Sequence, residues 1–456
     1  MTMRICIASI NYEPEESGIA PYTTGMAVGL AARGHDVEVL TGLPHYPQWR
    51  VNPAYRGLSG TVKAMDGVVV RRFAHYVPAE STLRNRLKLE ATFGVRAVSA
   101  GWNKPELVLT VSPSLIASAM VIARSRTANI PVGLIVQDLY GMGVVETGAM
   151  PARMAALAVR FEAAVLNHAT GAAVVHDRFA DAAIRMGVRP RRIAVIRNWV
   201  HIGSAQAVNP AEVRRRHGWQ PRERIVLHSG NMGLKQGLEN VVAAARLADE
   251  RGVDIRFVLL GDGNQRKLLQ QSAKDVQRLE FKDPLPADEY RQLLSCADVL
   301  LVNERPGVGQ MAVPSKLTSY FSAGRPVLAA TDANGVTAAE VRDSGAGVVI
   351  SAGDPAVLLD TAVRLADSVE VGVGLGLCGQ RYAQRLLGRE RALDAYEAWC
   401  HRLTEGPRAA APARRSDAPL PMTRPVRRQT VLPAWGVERN PVTRRFEQPS
   451  GSPSRH

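Results

Sequence analysis

The chain has 456 residues, of which 46% are hydrophobic and 22% are charged. This length predicts two domains, and this composition excludes a wholly disordered chain, a fibrous repeat and a polytopic membrane protein. The net charge of +15 predicts a polyanionic partner, which is nucleic acid, an anionic membrane face or a phosphate-bearing substrate.

The first predicted elements are a strand (RICIASI), a loop ending at Gly18, a helix over 19–33 and a strand over 35–41. This order of strand, glycine-bearing loop, helix and strand predicts a parallel sheet. The pattern recurs at VVVRRF, LVLTV, VGLIVQD, GAAVV and IAVIRN, with helical stretches between these strands.

A second series begins after a polar stretch near 200–223. It opens with the strand IVLHSG and a helix over 235–251, and continues with IRFVLL, LEFKD, VLLVNE and PVLAA. The predicted fold class is therefore α/β, with two doubly wound, Rossmann-like domains facing each other across a cleft. Because open parallel sheets bind ligands at the carboxyl ends of their strands, we expect the site in that cleft.

The end of the chain, residues 404–456, has a different composition. It holds ten arginines, four acidic residues and nine prolines, so it carries +6 of the net charge. Since it shows little apolar periodicity, we expect a disordered, basic Pro/Arg-rich tail.

Cysteine usage and hydropathy indicate the compartment. The four cysteines are far apart and form no CxxC pair, which predicts reduced thiols and neither disulfides nor zinc. The first apolar run is too short and too closely followed by acids for a signal peptide. The longest uncharged stretch, 107–123, is interrupted by Ser-Pro-Ser. We expect a cytoplasmic protein, with peripheral attachment to the inner membrane face as a further prediction.

Two glycine-bearing turns of the second series have the form of phosphate sites. One is the run GNMG, which contains Asn231 and precedes Lys235, and the other holds Gly261 and Gly263. Glycine lets backbone approach a phosphate, and a helix N-terminus presents free N–H groups to it. Lys235, predicted in the first helical turn, adds a charge suited to a diphosphate. The alternatives are that the glycines only serve tight turns, and that Lys235 is an ordinary surface lysine.

A third turn has the sequence PSKL. Ser315 is predicted to cap the helix that Lys316 opens, and Gly324 with Pro326 ends that helix. The N-terminus of this short helix is expected to face the cleft, as a third anion-binding backbone site.

Six segments, covering about residues 3–403, now suggest a family. They are NYEPEESGIAPYTTGMAVGLAARGHDVEVLT, IVQDLY, VVHDRFADAAIRMGVRPRRIAVIRNWV, HSGNMGLKQGLENVV, LLGDG and VPSKLTSYFSAGRPVLA. In this order they resemble the retaining GT-B glycosyltransferases of family four, in particular the branch that builds colanic-acid-type and other bacterial surface polysaccharides. The resemblance implies an acceptor-binding domain over 1–200, a nucleotide-sugar-binding domain over 201–387 and a helix over 388–403 that packs back on the first domain.

The resemblance also implies roles for individual residues. Gly18 would face the donor sugar and phosphates, Lys235 would neutralise the leaving diphosphate, and residues 281–285 would contact the base. The other implied donor-binding residues are Asn231, Gly261, Gly263, Pro314, Ser315, Lys316, Leu317 and Ser319.

Two positions depart from the family pattern. The E-x7-E motif of many relatives is replaced by Met311 and Ser319, and Asn231 stands where an arginine is usual. Recognition of the ribose by a carboxylate, and the choice of one nucleotide, therefore do not follow from the resemblance.

The implied reaction is transfer of a sugar from a nucleotide-sugar to a glycan or polyprenyl-diphosphate-linked glycan acceptor, with retention and without another cofactor. The sequence contains no Asp-x-Asp pair to hold a donor-bound metal, so Lys235 and helix N-termini are the expected metal-free stabilisers of the diphosphate. Asp138 is the candidate for orienting or deprotonating the acceptor hydroxyl, and capping of the following loop is its alternative role.

The acceptor side has its own candidate surface. Arg84, Arg86 and Lys88 alternate with apolar residues in a helix-like segment that would suit anionic lipid headgroups, and a solvated amphipathic helix is the alternative.

Three other functions are weaker. A GT-B sugar-nucleotide epimerase would need further acid/base residues near the sugar, and a nucleic-acid-binding protein would need more aromatic residues than the 5% found here. A dinucleotide dehydrogenase would need a G-x-G-x-x-G motif in the first turn.

Overall fold

The computed structural model describes residues 2–16, 18–79, 82–139, 141, 151–200, 209–309 and 314–405. Two mostly parallel sheets, each with helices on both faces, confirm the predicted α/β class with two Rossmann-like domains. Residues 406–456, most of the predicted tail, lie outside the described residues, as do Ser17, Met311 and 201–208.

The first sheet has eight strands in the order β3-β4-β2-β1-β5-β6-β7-β8, and only the β3–β4 pair is antiparallel. Their hydrophobic sequences follow from burial on both faces, as is usual for parallel sheets. The strands are β1 (Arg4–Ser9), β2 (Asp36–Gly42), β3 (Val62–Met65), β4 (Val68–Phe73), β5 (Leu107–Ser112), β6 (Val132–Val136), β7 (Gly171–Val174) and β8 (Ile193–Val195). Edge strand β3 was not predicted.

Helices cover both faces of this sheet. The helices of this part are α1 (Ala20–Ala32), α2 (Leu83–Ser99), α3 (Leu115–Thr127), α4 (Ala152–His168) and α5 (Asp177–Arg185), with 3-10 turns at Pro53–Tyr55 and Pro190–Arg192. Apolar residues of α2, α3, α4 and α5 form the core on one face. On the other face, α1 packs with the C-terminal helix of the described chain.

The second sheet has the order β11-β10-β9-β12-β13-β14 and is entirely parallel. Numbered from β9, this is the dinucleotide-fold order 3-2-1-4-5-6, in which the strand order reverses between β9 and β12. The strands are β9 (Arg224–Ser229), β10 (Ile255–Leu260), β11 (Leu279–Lys282), β12 (Val299–Asn303), β13 (Val327–Ala330) and β14 (Gly347–Ile350). Strand β14 was not predicted.

The remaining helices follow this sheet order. They are α6 (Pro210–Arg216), α7 (Glu239–Glu250), α8 (Arg266–Ser272), α9 (Ala287–Cys296), α10 (Lys316–Ala323), α11 (Val336–Ser344), α12 (Pro355–Asp367), α13 (Val369–Leu386) and α14 (Arg389–Glu405). A 3-10 turn at Leu234–Gln236 precedes α7, so the prediction that Lys235 begins an α-helix was wrong. Gly233 precedes this turn, and Gly237 follows it in the left-handed region, which ends the turn before α7 begins.

The chain passes between the two domains twice. It leaves the first domain after Val200 and returns to it through α14, which packs on α1 and on the first sheet. The backbone N–H of Val200 donates to the carbonyl of Leu387 at 3.0 Å, so the two crossings are bonded to each other. Thr404 and Glu405, which the tail prediction included, are the last residues of α14. Among the described helices, none is long and apolar enough to cross a bilayer.

Candidate active site

A cleft of about 1140 Å³ lies between the carboxyl ends of the two sheets. Its first-domain wall comes from the loop after β1, from Asp138 beyond β6, and from Trp199. Its second-domain wall comes from the loops after β9 and β12 and from the start of α10. In the second sheet, β9 and β12 are the strands between which the order reverses, and the loops after both open into this cleft.

The loop after β9 brings Lys235 into the cleft. Gly230, Asn231 and Lys235 all line it, as predicted from the glycine-bearing turn. The carbonyl of Lys235 accepts from the backbone N–H of Arg305 at 2.8 Å, which fixes the 3-10 turn against the loop after β12. This hydrogen bond therefore fixes the backbone that carries the Lys235 side chain at the cleft wall.

Gly261 and Gly263 lie behind this loop and do not line the cleft. A Cβ atom at Gly261 would lie 2.1 Å from the carbonyl oxygen of Gly230, and one at Gly263 would lie 2.5 Å from that of Met232. Both glycines thus permit two turns to pack backbone against backbone. They thereby position the Gly230–Asn231 turn at the cleft wall.

The PSKL turn places Pro314, Ser315 and Lys316 at the cleft wall, whereas Leu317 is buried in the domain core. Ser315 occupies the N-cap position of α10, but its side chain makes no capping hydrogen bond, so that prediction was wrong. Its backbone is already helical, and Thr318 bonds the Ser315 carbonyl through its hydroxyl. Gly324 ends the helix in the left-handed conformation, as predicted.

Lys316 is half-buried beside a histidine. Its Nζ donates to Nε2 of His228 at 3.0 Å, and His228 is fully buried at the end of β9. Burial lowers the pKa of Lys316 to about 7, and the negative charge of Glu304 acts against this fall. Burial, with the Lys316 charge, also lowers the pKa of His228, so the imidazole is neutral and free to accept.

Ser319, at the second position of the E-x7-E motif, belongs to a hydroxyl network. Burial raises the pKa of Tyr290, and side-chain hydrogen bonds to Ser229 and Ser319 lower it. Ser229 Oγ lies 2.8 Å from the Tyr290 hydroxyl and 3.2 Å from that of Tyr320. Tyr290 also lines the cleft next to Leu285, at the end of the segment expected to contact a base. The motif analysis missed Tyr290, because no local pattern marks it.

Glu304 is a second cleft residue that the sequence analysis missed. It directly follows β12, and its carboxylate accepts hydrogen bonds from the hydroxyls of Thr331 and, at 2.7 Å, Thr337. Burial raises its pKa, while these hydroxyls, Lys316 and Lys235 lower it. Its position at a strand end was the available signal. Glu304 therefore places a carboxylate in this wall of the cleft, although it stands at neither position of the E-x7-E motif.

Asp138 lies across the cleft on the first domain. Burial raises its pKa, and the positive charges of Lys235 and Arg86 act against that rise. Lys235 and Asp138 are thus within electrostatic reach across the cleft. Gly18 also lines the cleft, in the left-handed conformation with φ of 67°, and a Cβ there would lie 3.2 Å from the Tyr46 ring.

The three residues of the predicted basic patch all lie on α2, but they do not share one exposed surface. Arg84 and Lys88 are exposed on α2, and the Lys88 ammonium lies 4.2 Å from the centre of the Tyr76 ring. Arg86 is half-buried, and its charge lowers the pKa values of Tyr46 and Asp138 against the effect of their burial. Arg86 therefore acts toward the cleft, apart from its two neighbours.

A network of charges joins the domains beside the cleft. Glu340 of α11, in the second domain, lies 2.8 Å from Arg197 and 3.0 Å from Nε2 of His176, both in the first domain. The Tyr382 hydroxyl donates to the same carboxylate at 3.0 Å. Arg197 and His176 lower the pKa of Glu340 despite its burial. His176 is thus one of the groups that hold the domains together.

One group in the described part of the chain has the spacing of metal ligands: His35, Glu397 and His401. Nδ1 of His35 accepts from the backbone N–H of Met3 at 3.2 Å, so a neutral ring carries its proton on Nε2. Nε2 then donates toward Glu397 at 3.3 Å, and Arg33 binds the same carboxylate at 2.9 Å. These bonds occupy the ligand atoms of His35 and Glu397 and hold α14 on the first domain.

Two Rossmann-like domains that face each other across a cleft define the GT-B class of glycosyltransferases. The description "Glycosyl transferase 4-like domain" matches residues 17–199, and "Glycosyl transferases group 1" matches residues 223–368. The colanic acid biosynthesis glycosyl transferase WcaI of Escherichia coli (strain K12) is 31% identical over 339 residues, which are 71% of this chain and 82% of that protein. This chain belongs to the GT-B glycosyltransferases of family four.

Solved structures share the fold at low identity. Anabaena Alr3699/HepE in complex with UDP-glucose is 15% identical, with a TM-score of 0.64 over 87% of this chain and 99% of that one. Sucrose-phosphate synthase from Thermosynechococcus elongatus is 17% identical, with a TM-score of 0.67 over 87% and 98%. The predicted family and fold are thereby confirmed.

Proposed function

We propose that this glycosyltransferase transfers a sugar from a nucleotide-sugar, with retention of anomeric configuration, to a lipid-linked glycan in bacterial surface polysaccharide synthesis. The observation that carries the proposal is the pair of lysines, Lys235 and Lys316, in one cleft with Asp138 opposite them. The similarity to a colanic acid enzyme supports the polysaccharide context. The complex of Alr3699/HepE with UDP-glucose makes UDP-sugars the first donors to test.

The second-domain wall suits the diphosphate of the donor. Charge develops on the leaving diphosphate as the glycosidic bond to it breaks, and preorganised cations and N–H groups stabilise that charge. Lys235, Lys316 and the N-terminus of α10 supply such groups at one wall. They provide positive charge without a carboxylate pair for a metal, and this is our reason for proposing metal-independent transfer.

The two remaining ends of the donor have separate candidate contacts. Leu285 and Tyr290 offer an apolar edge and a ring beside the hydroxyls of Ser319 and Ser229, which suits a nucleoside. Glu304 is placed to accept hydrogen bonds from sugar hydroxyls, since its carboxylate is fixed by two threonines. We assign Glu304 this role in place of the missing motif glutamates.

Asp138 is proposed to orient and deprotonate the acceptor hydroxyl. A general base works best when its pKa approaches the working pH, and burial moves the pKa of Asp138 in that direction. The charge of Lys235 favours the ionised carboxylate when the donor is absent. Donor phosphate would neutralise part of that charge, so the basicity of Asp138 would rise when the donor binds.

Nucleotide binding tests the donor site. Calorimetric titration with UDP, GDP, ADP and dTDP should identify one diphosphate that binds, and Lys235→Ala should weaken it about 10–100-fold, the value of a hydrogen bond to a charged group. Lys274→Ala, an exposed lysine of the second domain, is the matched control and should bind normally. If none of the four nucleotides binds at millimolar concentration, the proposed donor class is wrong.

Transfer itself is tested on a synthetic polyprenyl-diphosphate glycan. Product should form with the donor of the nucleotide that binds, its anomeric configuration should match that of the donor by NMR, and EDTA should leave the rate unchanged. Asp138→Asn should lower kcat about 100-fold or more while nucleotide affinity stays the same. An inverted product or a loss of activity with EDTA would contradict retention or metal independence, respectively.

A further inference from the structure

Three helices on one side of the first sheet expose no acidic side chain. The helices α2, α3 and α4, whose residues are all described, contain two acids in their sequences, Glu90 and Glu162, and both are buried. Glu90 accepts from the backbone N–H of Ile116 at 3.0 Å, and Glu162 accepts from that of Gly141 at 2.9 Å. Neither carboxylate of these helices is therefore exposed to solvent.

The exposed charges of the same helices are all positive. They are Arg84, Lys88 and Arg96 on α2, Arg126 on α3, and Arg153 and Arg160 on α4. Helix α3 contacts both α2 and α4, so these cations share one layer of the domain. We call this layer, made of α2, α3 and α4, the basic face.

Large apolar side chains accompany the cations. On α4, Met154, Leu157 and Phe161 are 51%, 65% and 40% exposed. Their spacing of three and four residues places them on one stripe, and Arg153 and Arg160 lie one residue before its first and last members. On α2, Leu87 and Val95 are exposed as well. Exposed apolar residues bordered by cations are typical of helices that lie in the interface of an anionic bilayer.

The basic face borders the acceptor side of the cleft. A helix that follows a parallel strand begins near the carboxyl edge of the sheet, so α2, α3 and α4 begin on the side where Asp138 lies. A lipid-linked acceptor anchored beneath this face would have its glycan near Asp138. The position of the face thus matches the acceptor class of the proposed function, on which this part of the inference rests.

We propose that the basic face docks on an anionic phospholipid membrane, with Met154, Leu157 and Phe161 entering the headgroup layer. The positive charge of this face favours anionic phospholipid over the two other possible occupants, a second copy of the face and residues 404–456. A second copy of this face would oppose arginine to arginine, and residues 404–456 carry +6, so both are repelled by it. Anionic phospholipid complements the cations and solvates the apolar stripe. The surface differs from the predicted patch: α4 is added, and Arg86 is assigned to the cleft.

Vesicle binding of the full chain tests this docking. Cosedimentation should show binding to vesicles of phosphatidylcholine with phosphatidylglycerol, weaker binding in high salt, and little binding to phosphatidylcholine alone. Arg153→Glu with Arg160→Glu, and separately Leu157→Glu with Phe161→Glu, should each weaken binding about tenfold or more. Leu268→Glu with Lys274→Glu, exposed positions of the second domain, is the matched control and should bind as wild type.

A local probe separates insertion from any attraction by residues 404–456. An environment-sensitive fluorophore on Leu157→Cys should shift to the blue with anionic vesicles, while the same label on Leu268→Cys should not. Absence of vesicle binding, variants that bind like wild type, a label at 157 that stays in water, or a concentration-dependent dimer lost in Leu157→Glu would each overturn the proposal. Calorimetric nucleotide binding by the same variants should be unchanged, so a failed docking result and a failed donor site are distinguished.

Discussion

One lysine of the cleft should take up a proton when a nucleoside diphosphate binds. Lys316 donates to neutral His228, is half-buried at the cleft wall, and has a pKa near 7 in place of 10.5. A diphosphate at the α10 N-terminus would bring negative charge to Lys316 and raise that pKa again. We predict that replacing Lys316 with methionine, which keeps the length of the side chain, abolishes this proton uptake.

The magnitude follows from the shift. At pH 8, one unit above a pKa of about 7, roughly nine-tenths of Lys316 is unprotonated, so binding should take up close to one proton. The terminal phosphate of a nucleoside diphosphate, with its last pKa near 6, is already ionised at pH 8 and takes up little itself. The difference between pKa values of 10.5 and about 7 corresponds to roughly 5 kcal/mol between the two protonation states.

Stability should follow the same titration. The unfolded chain keeps the Lys316 proton up to pH 10.5, whereas the folded chain loses it above pH 7. The unfolded state therefore binds more protons in this window, so the Lys316 contribution to the free energy of unfolding rises from pH 7 to 10.5, by up to about 1.4 kcal/mol per unit. In Lys316→Met this contribution should be absent.

Calorimetry in two buffers of different ionisation enthalpy measures the uptake. Titration of wild type at pH 8 in Tris and in HEPES should give heats that differ by about the difference between the ionisation enthalpies of the two buffers, since close to one proton is taken up. Lys316→Met should give equal heats. Lys235→Met is the control, because it weakens binding but leaves Lys316 in place. Equal heats for wild type, or unequal heats for Lys316→Met, would refute the assignment of the proton to Lys316.

Two further substitutions test how the site is held. Glu340→Gln should remove the ion pairs between the domains and lower the free energy of unfolding by about 3 kcal/mol, seen as a lower midpoint in thermal unfolding, while Asp343→Asn, an exposed acid of the same helix, should change little; equal effects would contradict the network. Gly261→Ala should place Cβ 2.1 Å from a backbone oxygen and abolish nucleotide binding in the calorimeter. Gly252→Ala, also left-handed but with open space at Cβ, should cost only about 1–2 kcal/mol of stability and bind normally.

The sequence predicted the sheets because their strands report burial directly. A strand such as VLLVN is buried on both faces, so its residues are apolar without alternation, and a glycine-bearing turn marks its end. The edges were missed for the converse reason. Val62–Met65 is exposed and short, and Gly347–Ile350 is only half-buried, so neither shows the pattern of a central strand.

The candidate site was predictable where a local motif carries it. Asn231 and Lys235 closely follow Gly230 in the sequence, and Pro314, Ser315 and Lys316 are consecutive. A local motif therefore marks each of these cleft-lining residues. Tyr290 was not predictable, and only its position at a strand end marked Glu304, since the place of each in the site depends on hydroxyl groups from other segments. The pairing of Arg197 with Glu340 joins residues 143 positions apart, and a single sequence gives no sign of it.

The bond between the two interdomain crossings limits how the cleft can move. Because the N–H of Val200 is joined to the carbonyl of Leu387, the two crossings are tied to each other, and sliding one along the other would break this bond. A rotation about the crossings would preserve this bond, and displacement would grow with distance from them. Such a rotation would change the separation of Lys235 and Asp138, which line opposite walls of the cleft, and so, under the proposed function, the separation of the leaving diphosphate and the acceptor hydroxyl.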